Sequence, residues 1–167
     1  MTEVEVIHAD DTLVVLNKPA GLLSVPGRGE DKQDCLSRRV SQRYPDALVV
    51  HRLDMATSGL LVMARGQAAQ RSLNDAFAQR QVHKRYEAVV HGVIPLTKDA
   101  GAWQTIDLPI AVDWPNRPLR IINPSHGKPS QTRWMPLGAG PCQNSTRLAL
   151  EPITGRSHQL RVHLQAI

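Results

Sequence analysis

Short apolar runs separated by turn residues dominate the hydrophobic pattern of the chain. Runs typical of strands occupy residues 13–16, 48–50, 60–63, 103–110, 119–122, 130–135 and 147–150. Tyr86, Ala88 and Val90 alternate with polar residues, as in a half-buried strand. The first run ends at the turn residues 19–21, and residues 24–31, rich in Gly and Pro, are predicted to form a loop.

Three segments have the spacing of helices. One is predicted to begin after Asp34, which can cap it, and to end before Pro45. A second is predicted over residues 67–79, and a third over residues 157–167 with Thr154 or Ser157 as its cap. Their apolar faces are formed by Leu36, Val40 and Tyr44, by Ala69, Leu73, Ala76 and Phe77, and by Leu160, Leu164 and Ile167.

Many strands with few helices predict an α+β fold, a mostly antiparallel mixed sheet with flanking helices. A length of 167 residues fits one domain, residues 1–167. The 41% of hydrophobic and 21% of charged residues exclude a disordered, coiled-coil or collagen-like chain. No membrane span or signal peptide is visible, so we expect a cytoplasmic protein. Cys35 and Cys142 match neither a disulfide framework nor a zinc site, and we expect reduced thiols.

The net charge of +5 is unevenly distributed along the chain. Residues 1–34 carry a net charge of −4, whereas residues 35–167 carry +9, and fifteen of the twenty basic residues are Arg. Arginine binds phosphate in a bidentate manner and stacks on bases, so an excess of arginine points to a nucleic-acid partner more than an excess of lysine would; a generic basic surface is the alternative. The small number of aromatic residues argues against a single-strand binder built on stacked aromatics.

The loop of residues 51–59 contains His51, Arg52 and Asp54 between two apolar strands. A carboxylate in basic surroundings stays ionised and can act as a nucleophile or a base. Alternatively, Asp54 caps a turn or pairs with Arg52. The loop also contains Ser58, but it lacks the strand–turn–helix context of a hydrolase nucleophile.

A second polar cluster occupies residues 154–161, where a Gly-containing turn opens a helix. Arg156 or Arg161 can meet a phosphate or the carboxylate there, or the cluster is a solvated helix start. His158 and His163 are five residues apart, so they do not form a metal pair on one helix face, and we expect both at the surface. No phosphate or dinucleotide loop is present, so no cofactor site is predicted.

At these residues the sequence resembles the RluA-type pseudouridine synthases, from about Asp11 to the end. The hallmark is His51-Arg52-Leu53-Asp54 followed by Thr57-Ser58-Gly59. The other matching motifs, in the order expected for the family, are residues 17–22, 84–86, 127–132 and 154–161. Residues 113–118 further resemble the branch that modifies both large-subunit ribosomal RNA and a tRNA anticodon stem-loop.

The resemblance implies the fold of that family's catalytic domain, with a central cleft, and an isomerisation without cofactor or metal. It implies that Asp54 is the catalytic carboxylate, that Tyr86 stacks on the base, and that Arg161 pairs with the carboxylate. Arg52 would enter the RNA stack when the uridine flips out. The matched motifs suggest further RNA contacts from His51, Thr57, Arg117, Lys128, Arg156 and His158. RNA is the expected partner, with no membrane, and the protein is expected to be a monomer.

The end of the chain departs from the family pattern. The final predicted helix has no Gly, Asn or Pro after it, and the family continues with further strands and a helix. We therefore expect a chain cut short at Ile167. A non-catalytic RNA-binding fragment is the alternative to a pseudouridine synthase.

Overall fold

The computed structural model describes residues 4–95 and 102–167, and its backbone contacts form two compact units that meet in sequence between Gln81 and Val82. Every pair of neighbouring strands in the described sheets is antiparallel, and three α-helices accompany them. The predicted α+β class with an antiparallel sheet is therefore confirmed. The predicted single domain and central cleft stay predictions. In the described ranges, no helix has the length and apolar character needed to cross a membrane.

The first unit is a four-stranded sheet with two helices. Its strands are β1 (Glu5–Ala9), β2 (Leu13–Lys18), β3 (Ala47–Val49) and β4 (Gly59–Arg65), in the order β1-β2-β4-β3. Helices α1 (Leu36–Arg43) and α2 (Gly66–Ala78) pack on β3, and α2 also packs on β4. A short 3-10 turn, Glu30–Lys32, lies within the predicted loop.

Apolar residues at two-residue spacing form the core of this first sheet. Val14 and Leu16 of β2 are fully buried and lie opposite Met63 and Leu61 of β4. Side chains two residues apart point to the same face of a strand, so the next inward position is Lys18. Lys18 is also fully buried. The strand therefore places an ammonium group on its core side, where it ends.

The predicted cap of α1 is wrong. The helix is preceded by Cys35, and no side chain caps it. Its first free backbone N–H groups, those of Leu36 and Ser37, donate to the carbonyl oxygens of residues 23 and 24 at 2.7 and 3.1 Å. Asp34 is free to accept two hydrogen bonds from the guanidinium of Arg39 instead, at 2.8 and 2.6 Å. This pairing lowers the pKa of Asp34.

The second unit contains another four-stranded sheet, a hairpin and a helix. The sheet has the order β5-β10-β9-β6, with β5 (Tyr86–His91), β6 (Gln104–Asp107), β9 (Gln131–Ala139) and β10 (Ser145–Pro152). The hairpin pairs β7 (Ile110–Val112) with β8 (Arg120–Ile122), and α3 (Gln159–Gln165) packs on β8, β9 and β10. The buried core residues are Ile106, Trp134, Leu148 and Leu150.

The single strand predicted over residues 103–110 is two strands in the structure, β6 and β7. β6 pairs with β9, whereas β7 pairs with β8. Pro109 stands between them and has no N–H group to donate to a ladder. The chain can therefore change partners at this position.

Candidate active site

The loop between β3 and β4 carries four of the predicted site residues: His51, Arg52, Asp54 and Thr57. A turn inside the loop is closed by the N–H of Thr57, which donates to the carbonyl oxygen of Asp54 at 3.0 Å. The loop ends at Gly59, whose φ of 118° lies in the region that favours glycine. Asp54 is half-buried and Arg52 is exposed.

A buried serine fixes the residue before Asp54. Ser24 Oγ donates to the carbonyl oxygen of Leu53 at 2.7 Å and accepts from its N–H at 3.1 Å. Ser24 is itself tied to α1, because the N–H of Ser37 donates to its carbonyl oxygen at 3.1 Å. Both backbone polar groups of Leu53 are thereby satisfied, and Asp54 is attached to the helix through a chain of hydrogen bonds.

The buried ammonium of Lys18 lies beneath the same loop. Its Nζ donates to the carbonyl oxygens of Pro19, Leu22 and Met55 at 2.8, 2.7 and 3.1 Å. The N–H of Gly21 also donates to the carbonyl oxygen of Met55, at 2.8 Å. The three protons of the ammonium each have an acceptor, so the buried charge is solvated by backbone dipoles.

Lys18 and Asp54 also interact through their charges. Burial lowers the pKa of Lys18, and the negative charge of Asp54 opposes that effect. The loop thus presents a carboxylate above a buried positive charge, which suits a nucleophile or a base.

His51 has a structural contact in this loop. Its Nε2 accepts a hydrogen bond from the N–H of Val62 at 3.0 Å, and its ring packs against Phe77 at 4.7 Å between centroids. Because the backbone N–H is the donor, Nε2 carries no proton and a neutral ring has its proton on Nδ1. The predicted contact of His51 with RNA stays a prediction.

In the second unit, the residues around α3 differ from the prediction. Neither Thr154 nor Ser157 caps the helix; His158 precedes it in a left-handed conformation, with φ of 57°. The amide of Gln159 takes the place of a cap, because its Oε1 accepts from the N–H of Arg156 at 2.9 Å and from the hydroxyl of Thr154 at 2.8 Å. The side chain of the first helical residue therefore folds back onto the preceding turn.

The expectation that His163 lies at the surface is wrong, because its side chain is fully buried. Gln159 Nε2 donates to Thr132 Oγ1 at 3.0 Å, and that hydroxyl lies 2.9 Å from His163 Nδ1. His163 Nε2 lies 2.9 Å from the carbonyl oxygen of Leu108, a pure acceptor. One arrangement satisfies every atom: Thr132 donates to Nδ1, and Nε2 donates to Leu108. Burial lowers the pKa of His163, so the neutral ring is favoured.

The remaining predicted site residues lie at several places in the second unit. Tyr86 is the first residue of β5, and it is half-buried against the core. Arg161 is on α3 and is exposed. Arg117 lies in the hairpin loop with its guanidinium 4.6 Å from the Trp114 ring centroid. The catalytic and binding roles of these residues stay predictions.

The structure brings the turn before α3 next to the segment before β9. The guanidinium of Arg156 donates to the carbonyl oxygen of Pro129 at 3.3 and 3.4 Å, next to the exposed residue Lys128. His158 follows in the same turn. Arg156 therefore lies close to Lys128, and these two predicted RNA-contacting residues form one group, with His158 two residues further along the chain. Over the described residues, no three side chains of His, Cys, Asp or Glu gather as a metal ion would require.

Four residues that brace the predicted site residues had no predicted role: Lys18 and Ser24 in the first unit, and Thr132 and Gln159 in the second. For Lys18 a signal was present, because it continues the inward positions of Val14 and Leu16 at two-residue spacing. The other three form hydrogen bonds with residues that are 27 to 31 positions away in the sequence. Sequence periodicity carries no information about such contacts.

These features define a small α+β protein with a braced carboxylate loop and a basic helix start. The family model described as RNA pseudouridylate synthase matches residues 12–166. The chain therefore belongs to the RNA pseudouridylate synthase family, and the resemblance inferred from the motifs is confirmed.

Named relatives agree with this assignment. The chain is 47% identical over 167 residues to a dual-specificity RNA pseudouridine synthase RluA of Vibrio vulnificus, covering 98% of this chain and 64% of the relative. It is 46% identical over 162 residues to the protein of that name from Escherichia coli K12, covering 97% and 71%. The chain thus spans about two thirds of the length of these relatives.

Solved structures show the same fold. Human RNA Pseudouridylate Synthase Domain Containing 1 is 29% identical with a TM-score of 0.74, covering 98% of this chain and 64% of that one. Human RNA Pseudouridylate Synthase Domain Containing 4 is 28% identical with a TM-score of 0.73, covering 96% and 63%.

Proposed function

We propose that the protein is a pseudouridine synthase that converts uridines in structured RNA to pseudouridine. The observation that carries the proposal is the placement of the family's hallmark carboxylate, Asp54, on a loop braced by Lys18 and Ser24. The bacterial relatives are named dual-specificity RNA pseudouridine synthases. The resemblance of residues 113–118 to the branch with two substrates adds large-subunit ribosomal RNA and a tRNA anticodon stem-loop to the proposal. The basic charge of residues 35–167 fits an RNA partner.

The proposed reaction is an isomerisation, so the substrate and the product contain the same atoms. The bond between C1′ and N1 of uridine breaks, the base turns, and a bond between C1′ and C5 forms. C5 loses a proton, and N1, which is released from the ribose, gains one. Asp54 acts on the ribose, as a nucleophile at C1′ or as the base that removes a ribose proton. Tyr86 stacks on the detached base, and Arg161 pairs with the carboxylate. No cofactor or metal takes part.

Base flipping precedes this chemistry. Extruding a nucleotide costs a few kcal/mol, and the cost is lower in an RNA loop than in a duplex. Arg52, exposed on the same loop as Asp54, would occupy the space that the uridine leaves. The proposed phosphate and sugar contacts come from His51, Thr57, Arg117, Lys128, Arg156 and His158. We further propose that the enzyme acts as a monomer in the cytoplasm.

The test is pseudouridine formation in RNA that carries labelled uridine, comparing the wild type with Asp54→Asn. We expect the wild type to form pseudouridine and the variant to form none. Asp75→Asn is the matched control, because Asp75 is an exposed carboxylate on α2 of the same unit. The control should keep wild-type activity. Salt-dependent RNA binding without any conversion by the wild type would instead support a non-catalytic RNA-binding protein.

A further inference from the structure

The hairpin of β7 and β8 exposes an aromatic side chain that has no part in the proposed chemistry at the uridine. Trp114, at the start of the loop between the two strands, is 68% exposed. Tryptophan combines a large apolar ring with an N–H donor and is enriched at interfaces, so an exposed indole is a candidate binding residue.

The loop that presents Trp114 is held in a defined shape. The side chain of Asp113 accepts from the N–H of Asn116 at 3.4 Å and from its side-chain amide at 3.0 Å. Across the loop, Asp113 N–H donates to Leu119 O at 3.1 Å, and Leu119 N–H donates to Asn116 O at 3.0 Å. Arg120 also donates from Nη1 to the carbonyl oxygens of residues 118 and 119, both at 3.1 Å. The indole is therefore carried by an ordered loop.

The charge around Trp114 favours an anionic partner. The Arg117 guanidinium lies 4.6 Å from the ring centroid, at cation–π distance. Residues 113–128 contain Arg117, Arg120 and Lys128 against a single acid, Asp113, which is engaged with Asn116. An indole beside an arginine offers a surface for stacking together with a charge for the neighbouring phosphate, which is the combination that an unpaired nucleotide requires.

We propose that Trp114 and Arg117 form a stacking site for one unpaired nucleobase of the RNA substrate, separate from the uridine that reacts. The inference rests on the proposed function for the identity of the partner. The base stacks on the indole, and Arg117 contacts the adjoining phosphate. The site selects for loops over fully paired stems, because a paired base has no free face for the indole.

The experiment measures the affinity of the 167-residue chain for two fluorescent RNAs: a stem-loop with a seven-nucleotide unpaired loop, and a duplex of the same stem. Trp114→Phe keeps an aromatic ring, and Trp114→Leu keeps apolar bulk without one. We expect Trp114→Leu to bind the stem-loop about 5- to 150-fold more weakly than the wild type, the range for loss of one base–aromatic stack. Trp114→Phe should stay within roughly threefold of the wild type, and duplex affinity should not change with either variant.

Trp103→Leu is the matched control. Trp103 is also within cation–π distance of arginines, 5.4 Å from Arg85 and 5.1 Å from Arg133, but it is only partly exposed. We expect its replacement to leave the preference for the stem-loop over the duplex intact. Circular dichroism of each variant verifies that the fold is kept.

Two results would overturn the inference. One is an affinity of Trp114→Leu for the stem-loop within twofold of that of the wild type, which would indicate that the exposed indole contacts a protein partner instead of RNA. The other is an equal loss for stem-loop and duplex. The proposed function fails separately, when the wild type forms no pseudouridine, and the difference between the Phe and Leu variants in RNA binding would still support the stacking site.

Discussion

At the residue scale, Lys18 shows how a charged group can be retained in a protein core although its burial costs free energy. A buried ammonium loses its hydration, which is the cause of its lowered pKa. In return it donates to three backbone carbonyl oxygens: those of Pro19 and Leu22, close by in the sequence, and that of Met55, 37 residues from Lys18. The charge joins the end of β2 to the loop that carries Asp54, which an apolar side chain of equal length cannot do.

Lys18→Met should therefore destabilise the protein, although methionine fills a similar volume and removes a buried charge. The carbonyl oxygens of Pro19, Leu22 and Met55 would lose their donor, and unsatisfied buried polar groups cost about 1 to 3 kcal/mol. The measurement is the free energy of unfolding in urea. Lys32→Met, at an exposed position of the same unit, should change it by less than about 0.5 kcal/mol. Equal values for the two variants would contradict a bracing role of Lys18.

At the scale of the elements, α3 is attached to its unit partly through side-chain hydrogen bonds. The helix has seven residues, too few to be stable alone, and it ends two residues from Ile167. Leu160 and Leu164 pack on the core of the second unit, whereas Ile167, predicted on the same face, is 61% exposed. The buried side chains of Gln159 and His163 supply the remaining attachment to β9 and to Leu108.

Gln159→Leu tests this attachment directly. The substitution removes two donated and two accepted hydrogen bonds and leaves buried partners on Gln131 and Thr132. We expect a loss of about 2 to 4 kcal/mol in the free energy of unfolding, since several buried groups lose their partners together. Gln165→Leu, at an exposed position on the same helix, is the control and should be close to neutral. A small effect of Gln159→Leu would show that the Gln159 amide is not needed to hold α3.

His163 should make stability depend on pH. Burial lowers its pKa below the ordinary value of 6.5, while the carboxylate of Asp107 opposes the shift. Between the pKa of His163 in the folded protein and its pKa of 6.5 in the unfolded chain, the unfolded chain binds more protons than the folded protein. The contribution of neutral His163 to the free energy of unfolding is therefore fully present above pH 6.5, and it falls as the pH drops toward the folded pKa. Unfolding in urea across this range should show a decline for the wild type that is smaller in His163→Gln. An identical pH dependence in both proteins would exclude His163 as the cause.

These elements also show what a sequence can predict. Strands and helices with strong periodicity, such as β2, β4, α2 and β5, were predicted within one or two residues, because burial of one face imposes the period. β1 was not predicted, since it is an edge strand with four of its five residues exposed. The predicted caps of α1 and α3 are both wrong, because backbone carbonyl oxygens before α1 and the Gln159 amide before α3 take the place of capping side chains.

The candidate site was predictable to a different extent. Motif order identified the family and placed Asp54 on a loop between two strands, which the structure confirms. The groups that hold this loop could not be assigned, because Ser24 meets Leu53 only once the chain has folded. The same holds for His163, whose buried partners come from β9 and from the residue that follows β6.

At the scale of the whole molecule, the distribution of charge determines how RNA binding should respond to salt. Each phosphate neutralised by a cation releases counterions, so the logarithm of the association constant falls linearly with the logarithm of the salt concentration. Cations already paired with carboxylates contribute little to this slope. Arg147 is of that kind, since it forms an ion pair with Glu87 at 2.8 Å. Lys128 and Arg156, by contrast, form one group before β9 and α3.

Lys128→Ala and Arg156→Ala should therefore each weaken binding of a structured RNA uniformly across sequences and reduce the salt slope by about 1. Arg147→Ala is the matched control, an exposed arginine of the same unit whose charge is balanced within the protein. It should leave the slope unchanged, because no counterion release depends on it. The measurement is RNA affinity at four or more salt concentrations for each variant. If the salt slope falls equally in all three variants, RNA affinity depends only on the net charge of the protein. The group of Lys128 and Arg156 would then not be a phosphate-binding site.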